Sequence, residues 1–428
     1  MAKFLKIAGW VAVLGVVVWT FSGEEEAPVP PGVSPVKFAI WGGVAEQEAW
    51  KELVDDFHRR NPDVRVKAQM VPGQYEYKML AMLAAGTAPD VLILRLADFV
   101  PKGVFEPLDE RISRDTTLPL DDLFPGTLSL GRWRGRHYAI PSALGPQVLF
   151  YNVKHFEEAG LESPNDLAAR GEWDWAKFLE DCKRLTRRDA SGKVVRWAYV
   201  RYTPPWTYPY LFGGQPFNDD FTATNFSDPR VYGAIQAYAD LSLVHNVMPP
   251  PALQEQMGGW QAFARGQVSM FISGPWQVKR LKDMPDPYDI APPPMSPGGR
   301  TITLAGVGAG IWVRSKHKEA TYRWLSYLAG PEARRIWARL GFDLPAYRSL
   351  AEHPETWADT TITPKHFRVF YDLTPDLLRT PPATSPYIPA RAEQIINAAL
   401  DQVWLGHRTV KEALTEVQPE VDEILKKK

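Results

Sequence analysis

The feature that most narrows the fold is a regular exchange between two hydrophobic periods near the start of the chain. Val36 to Trp41 (VKFAIW) is a short apolar run that stops at Gly42-Gly43, the pattern of a buried strand. Ala49, Trp50, Leu53, Val54 and Phe57 then recur at helical spacing until Asn61-Pro62 stops them. Val64, Val66, Ala68 and Met70 alternate as a strand, a second helix runs to Ala85-Gly86, and Val91 to Leu94 is apolar throughout. Strands that read as continuous apolar runs are buried on both faces, and parallel neighbours need helical crossovers. The exchange therefore predicts βαβ units and a mainly parallel sheet flanked by helices.

The same alternation resumes near Ala139. Gln147 to Tyr151 reads as a strand, and Asp174 caps a helix running through Leu185. Further helices are expected over Pro229 to His245, around Trp260 to Arg265, and over Lys316 to Leu328, with Gly330 ending the last and Pro331 opening the next. Thr409 with Glu412 reads as a capping box for a final helix. At 428 residues the chain is long for one domain, and 45% apolar content suffices for more than one core.

Formal charge is −1, from 49 basic and 50 acidic side chains, which argues against a nucleic-acid surface. The closing Lys426-Lys427-Lys428 run reads as a solvated helix end. The single cysteine, Cys182, shares a helical face with Trp175, Phe178 and Leu179 and reads as a buried small hydrophobe; no intrachain disulfide can form. Sixteen tryptophans are unusual. Most should pack in cores, but several sit beside Gly and Pro in expected loops, where packing explains them poorly.

Lys3 and Lys6 precede an uncharged, mainly apolar stretch, Ile7 to Phe21, and Glu24-Glu25-Glu26 follows it. Residues 1–22 thus read as a signal peptide or an N-terminal membrane anchor, with positive charge kept inside and the remainder exported. Residues 23–35, rich in Glu and Pro, read as an extended tether. The expected location is extracytoplasmic, periplasm or cell surface, and the sequence leaves cleavage or tethering by residues 7–21 open.

Catalytic motifs are missing. There is no GxxxxGK[ST] phosphate loop, no GxSxG elbow and no HExxH, and the eight histidines are scattered. No cofactor and no metal site is expected. Gly306, Gly308 and Gly310 have the wrong spacing for a dinucleotide loop and read as a close backbone approach, between lobes or to a ligand. The acid pairs Asp55-Asp56, Asp121-Asp122 and Asp219-Asp220 read as solvated helix faces or turns. Glycosidase carboxylates must face each other across about 5–9 Å, which sequence neighbours do not.

A series of segments in fixed order carries a resemblance. They include FHRRNPDVRV (Phe57 to Val66), LAAGTAPDVLIL (Leu83 to Leu94), GVFEPLDERI (Gly103 to Ile112), RGRHYAIPSA (Arg134 to Ala143) and LFYNVKHFEEAGL (Leu149 to Leu161). FARGQVSMFISGPW (Phe263 to Trp276), LAGVGAGIWV (Leu304 to Val313) and GHRTVKEAL (Gly406 to Leu414) follow. In this order the chain resembles the family 1 extracellular solute-binding proteins, which include the maltose- and other sugar-binding proteins of ABC importers. The resemblance implies a type II periplasmic-binding-protein fold: two α/β lobes with hinge strands between them. One lobe would hold 36–143 plus 296–340, the other 144–295 plus 341–428. It further implies a monomer that closes on a ligand between the lobes and docks on an ABC permease.

A sugar presents hydroxyls at its edge and C–H groups on its faces, so flat aromatic walls and polar rims suit it. One tryptophan face over ~100 Å² of ligand contributes at most roughly 2.5 kcal/mol. Trp276, in Ser273-Gly274-Pro275-Trp276, matches a position where maltose-binding members stack an aromatic ring. Trp206 and Tyr208 lie where the family contributes further aromatics, and Trp41 ends the first strand at the cleft. Glu46 and Gln147 are rim candidates, and Gly306 would let the crossing segment pass near the ligand. Each also has a purely structural reading in local packing. Asp90 is expected to be structural.

The chain departs from the maltose-binding pattern at Leu94, Arg95 and Leu96-Ala97, where those members carry a stacking Trp and a charged pair. Gly145 replaces an acidic contact. Arg95 beside a cleft that has lost acids suggests a ligand with some negative charge, such as a uronate or phosphorylated polyol. The ligand class is accordingly a sugar, polyol or sugar acid. An extracellular sensor module of the same fold is the alternative, and a glycan-active enzyme a third reading.

Overall fold

The computed structural model describes residues 29–40, 44–71, 74–124, 127–141, 145–201, 205, 208–297, 299, 304–305, 308–341, 344–356, 358–359, 361, 364–372 and 388–427. The apolar segment 7–21, residues 23–28 of the 23–35 tether, and the candidates Trp41, Trp206 and Gly306 lie outside them. Among the described residues no helix is long and apolar enough to cross a membrane.

In chain order the strands are β1 (Ser34–Ile40), β2 (Val64–Met70), β3 (Val91–Leu92), β4 (Arg132–Trp133), β5 (Arg136–His137), β6 (Ile140–Pro141) and β7 (Gly145–Pro146). They continue as β8 (Val148–Asn152), β9 (Arg187–Arg188), β10 (Val194–Val200), β11 (Val268–Ser273), β12 (Tyr288–Ala291), β13 (Leu304–Ala305) and β14 (Gly308–Ile311). Two five-stranded sheets result, in the orders β2-β1-β3-β14-β6 and β12-β8-β11-β10-β9. Between them lies a two-stranded antiparallel ribbon, in which Gly145 of β7 faces Ala305 of β13 and Pro146 faces Leu304.

The opening βαβ pattern folds as the sequence predicts. Strand β1 runs parallel to β2 over a seven-residue register, from Ser34↔Val64 to Ile40↔Met70, and parallel to β3. The sheets as wholes are mixed, not mainly parallel. In the first, β14 is antiparallel to both β3 and β6. In the second, β10 and β11 are parallel, while β8 runs against β11 and β12, and β9 against β10. Chain path explains the reversals. Strand β14 enters the first sheet from the β13 side, and β8 leaves β7 into the second, so each starts at the edge where the parallel strands end.

Each sheet has its own cores. Phe38, Trp50, Phe57 and Trp324 pack on the first sheet, with Phe38 and Trp50 edge-to-face at 5.1 Å. Val91, Ile140 and Ile311 complete that side. Tyr151, Trp173, Phe178, Cys182, Tyr199 and Tyr238 pack on the second sheet beneath the helices Ala390–Trp404 and Val410–Lys426. Its opposite face holds Phe150, Phe263, Phe271, Tyr347 and Phe370. Trp50, Trp133, Trp173, Trp312, Trp324 and Trp404 are buried, and Trp175, Trp197, Trp260 and Trp337 pack partly buried against the cores.

Local chemistry fixes several helix ends. The Asp174 carboxylate accepts the Lys177 N–H to start the helix Trp175–Leu185, and Thr409 with Glu412 forms the capping box of Val410–Lys426. Asp90 is structural: it accepts the Lys37 N–H at 2.7 Å and the Ser315 hydroxyl at 2.6 Å. Asp56, expected on a solvated face, is instead buried and accepts hydrogen bonds from Arg59, Arg60 and Tyr327. Burial works to raise its pKa, but those three donors outweigh it and hold the carboxylate below its usual range.

Candidate ligand cleft

Strand direction locates the site. Strands β1, β2 and β3 all end at one edge of the first sheet. Gly308 of β14 pairs with Pro141 of β6, and Gly310 with Leu92 of β3, so β14 begins and β6 finishes at that same edge. In the second sheet β10, β11 and β12 end, and β8 begins, at a single edge: Val148 of β8 pairs with Ser273 of β11. The β7–β13 ribbon connects these two edges. Open α/β sheets bind ligands beyond the carboxyl ends of their strands. Here two such edges adjoin one hinge, and the space between them is the candidate cleft.

From the second sheet, Gln147 and Trp276 emerge at one corner. Gln147 is buried between β7 and β8, one residue beyond the Val148↔Ser273 pair. Trp276 is half-buried and opens the short helix Gln277–Arg280. Its indole lies against Gly274, where a Cβ would come within 2.3 Å of the ring. Gly274 therefore leaves the space that the indole fills. Gln277 beside it is fully buried; its Nε2 donates to Ser273 Oγ at 3.1 Å, and its Oε1 has no donor among the described residues. Arg201, just past β10, places its guanidinium 5.1 Å from the Trp404 ring centroid. Neither Gln277 nor Arg201 was singled out by sequence pattern, since each depends on a spatial partner or on burial.

Tyr208 is corrected. It is fully buried in the second-lobe core and stacks on Tyr238, with centroids 3.5 Å apart and planes 7° from parallel. It offers no face to a ligand. Glu46 is half-buried in the first turn of the helix Val44–Arg60, which starts at the cleft edge of the first sheet. Gly308 and Gly310 do mark close backbone approach, but within the first lobe: a Cβ at Gly310 would lie 2.3 Å from the Tyr138 carbonyl oxygen.

Arg95 follows β3 at this edge, and its environment differs from the expectation. Nη1 donates to Glu393 at 2.5 Å and to the Ile388 carbonyl at 3.3 Å, and Nε lies 3.4 Å from Asp98. The protein itself supplies the countercharge, so Arg95 no longer argues for an anionic ligand. Glu393 lies in the first turn of the helix Ala390–Trp404, which belongs to the second lobe. The structure thus brings Arg95 together with a helix end that sequence spacing could not connect to it.

A separate cavity of about 610 Å³ lies on the first lobe, lined by Arg60, Arg111, Asp115, Tyr322, Arg323 and Glu332 among others. Arg60 ends the helix that starts at the cleft edge, so this cavity is on the far side. Its arginines already face carboxylates, Arg60 on Asp56 and Arg323 on Asp63. It is not the cleft.

Residues 41–335 match the family model of bacterial extracellular solute-binding proteins. The chain is 22% identical to the maltotriose-binding protein of Pyrococcus abyssi over 343 residues, covering 76% of this chain and 70% of that one. An ABC substrate-binding protein of Listeria monocytogenes, solved with cycloalternan, superposes with a TM-score of 0.75 at 22% identity, covering 91% of this chain and 98% of the other. A sugar-binding protein of Xanthomonas citri gives a TM-score of 0.72 at 26% identity, with 92% and 98% covered. These likenesses carry the two-lobe fold, and the relatives are binding proteins, not enzymes. With two sheets facing each other across one hinge and a family match over most of its length, the chain belongs to the bacterial extracellular solute-binding proteins.

Proposed function

We propose that the chain captures a neutral carbohydrate in the interlobe cleft and delivers it to an ABC permease in the cytoplasmic membrane. The observation that carries this reading is the arrangement of the cleft. Two carboxyl strand edges adjoin one two-stranded ribbon, with the Trp276 indole at the rim and Arg95 already neutralised by carboxylates. An indole wall suits the C–H face of a sugar, and a cleft whose cation is satisfied internally does not select an anion. Similar proteins are named for maltotriose and for arabinooligosaccharide, which supports a carbohydrate ligand. Residues 36–143 plus 296–340 form one rigid half in this reading, and 144–295 plus 341–428 the other. Trp41, Glu46, Gln147, Trp206, Trp276 and Gly306 remain its proposed contacts. Residues 1–22 direct export or anchor the chain at the outer face.

A thermal-shift screen over neutral oligosaccharides, polyols and sugar acids tests the reading. A ligand that binds only the folded state raises the melting temperature with concentration, about 2.7 kcal/mol of added stability at a hundredfold excess over Kd. Neutral oligosaccharides should raise it, and uronates and sugar phosphates should not. A response to acids alone would reverse the charge assignment, and silence across all three classes would end the carbohydrate reading.

A further inference from the structure

The helix Ala390–Trp404 begins without a cap of its own: Pro389 precedes it and supplies no side-chain acceptor. The first N–H groups of a helix need acceptors, and its N-terminus attracts negative charge. Here the acceptor comes from the other lobe. Both carboxylate oxygens of Asp98 lie within reach of the Ala390 N–H, at 3.2 and 3.1 Å. Asp98 sits on the short helix Leu96–Phe99 that follows β3, and its neighbours Leu96, Ala97 and Phe99 pack in the first-lobe core. Ala392, Ile395 and Ile396 pack in the second-lobe core. The contact therefore spans the cleft.

Arg95 completes the contact. Its Nη1 reaches Glu393 at 2.5 Å and the Ile388 carbonyl at 3.3 Å, while Nε faces Asp98 at 3.4 Å. The Arg95 and Glu393 side chains are 25% and 21% exposed, so the pair is largely shielded from solvent. A partly buried, charge-assisted hydrogen bond is about twice as strong as a neutral one. One cation and two carboxylates thus converge on one helix N-terminus, and each carboxylate is stabilised by both the guanidinium and the helix dipole.

We propose that Arg95, Asp98, Glu393 and the N-terminus of the Ala390–Trp404 helix form an interlobe latch that biases the empty protein toward its closed form. The latch rests on the reading that the lobes move about the β7–β13 ribbon. These are positioning residues: they set the distance between the lobes.

The test is an interlobe distance measured without ligand. Lys67, on the exposed edge strand β2, and Lys193, in the turn before β10, are exposed on opposite lobes. Spin labels at Lys67→Cys and Lys193→Cys would report the distance, since the native Cys182 is fully buried and does not compete for label. Arg95→Gln, Glu393→Gln and the double variant would be read in that background. A charged hydrogen bond of this kind predicts a shift of roughly tenfold in the open-to-closed ratio.

Each single variant should lengthen the distance distribution, and the double variant should go no further than Arg95→Gln alone, which already breaks the Arg95–Glu393 interaction the two share. The double variant leaves the Asp98 carboxylate still hydrogen-bonded to the Ala390 N–H and removes the Arg95–Glu393 charges together, so it remains readable if a single variant fails to fold. An unchanged distribution in the double variant, or additive effects of the singles, overturns the latch. Because no sugar is present, this outcome is independent of the thermal-shift screen: a protein that binds sugar but keeps its distances loses only the latch.

Discussion

At the residue scale, Trp276 and Tyr208 show how little separates a wall from a core. Both are aromatic residues beside Pro in loop-like sequence, and a pattern of residue types cannot tell them apart. The difference is spatial: Tyr208 lies flat on Tyr238 inside a core, whereas Trp276 is held half-buried over Gly274. Trp276→Ala should therefore weaken the best sugar from the thermal-shift screen at least about tenfold, roughly 1.4 kcal/mol, by isothermal titration calorimetry. The unfolding midpoint should move little, because the ring is not a core member. Unchanged affinity would remove Trp276 from the site. The environment of Arg95 is hidden from the sequence for a related reason. Its partner Glu393 lies 298 positions away, beyond any window that spacing can inspect.

His155 carries the clearest pH dependence. It is 4% exposed, with Nδ1 3.1 Å from Ser269 Oγ. Burial, assisted by the Arg196 charge, pushes its pKa from 6.5 down to about 4, against the pull of Glu158 and Asp286. Between these values the unfolded chain binds a proton that the native protein refuses. Stability should thus be intact above about pH 6.5 and fall as pH drops toward 4, by up to ~3 kcal/mol from this group. Urea unfolding at pH 7 and pH 5 should show wild type losing more stability than His155→Gln over that step. Equal losses in both proteins would show that His155 does not titrate this way.

At the element scale, legibility follows locality. Helix starts at Asp174 and Thr409 are written in three or four adjacent residues, and both were readable. The opening strand–helix alternation was readable because each period repeats within a short window. Strand direction in the second sheet was not, because it depends on how the chain returns through the hinge. The glycines of β14 fall between: the sequence implied close approach, and the structure supplies the partner. Gly310→Ala would place its Cβ 2.3 Å from the Tyr138 carbonyl and 2.7 Å from the Phe105 ring. The carbonyl belongs to the backbone and cannot swing aside, so the variant should lose about 1–3 kcal/mol or more in urea unfolding. A loss below about 0.5 kcal/mol would mean that β14 shifts freely in its sheet.

At the scale of the whole molecule, the proposed mechanism depends on which connections are soft. Each sheet is braced by helices and cores on both faces, whereas the ribbon between them pairs, among the described residues, Gly145 with Ala305 and Pro146 with Leu304. Proline donates no N–H, so Pro146 adds no backbone donor to the ribbon. Bending should therefore concentrate there, with each half moving as a rigid body. Ligand contacts with both edges stabilise the closed arrangement by as much as they favour it over the open one. Small-angle scattering with saturating sugar should then give a smaller radius of gyration than the empty protein, and the latch variants should widen the difference by opening the empty state. A radius that does not respond to a sugar bound by calorimetry would place that sugar on one half alone, and the ribbon would be a tie instead of a hinge.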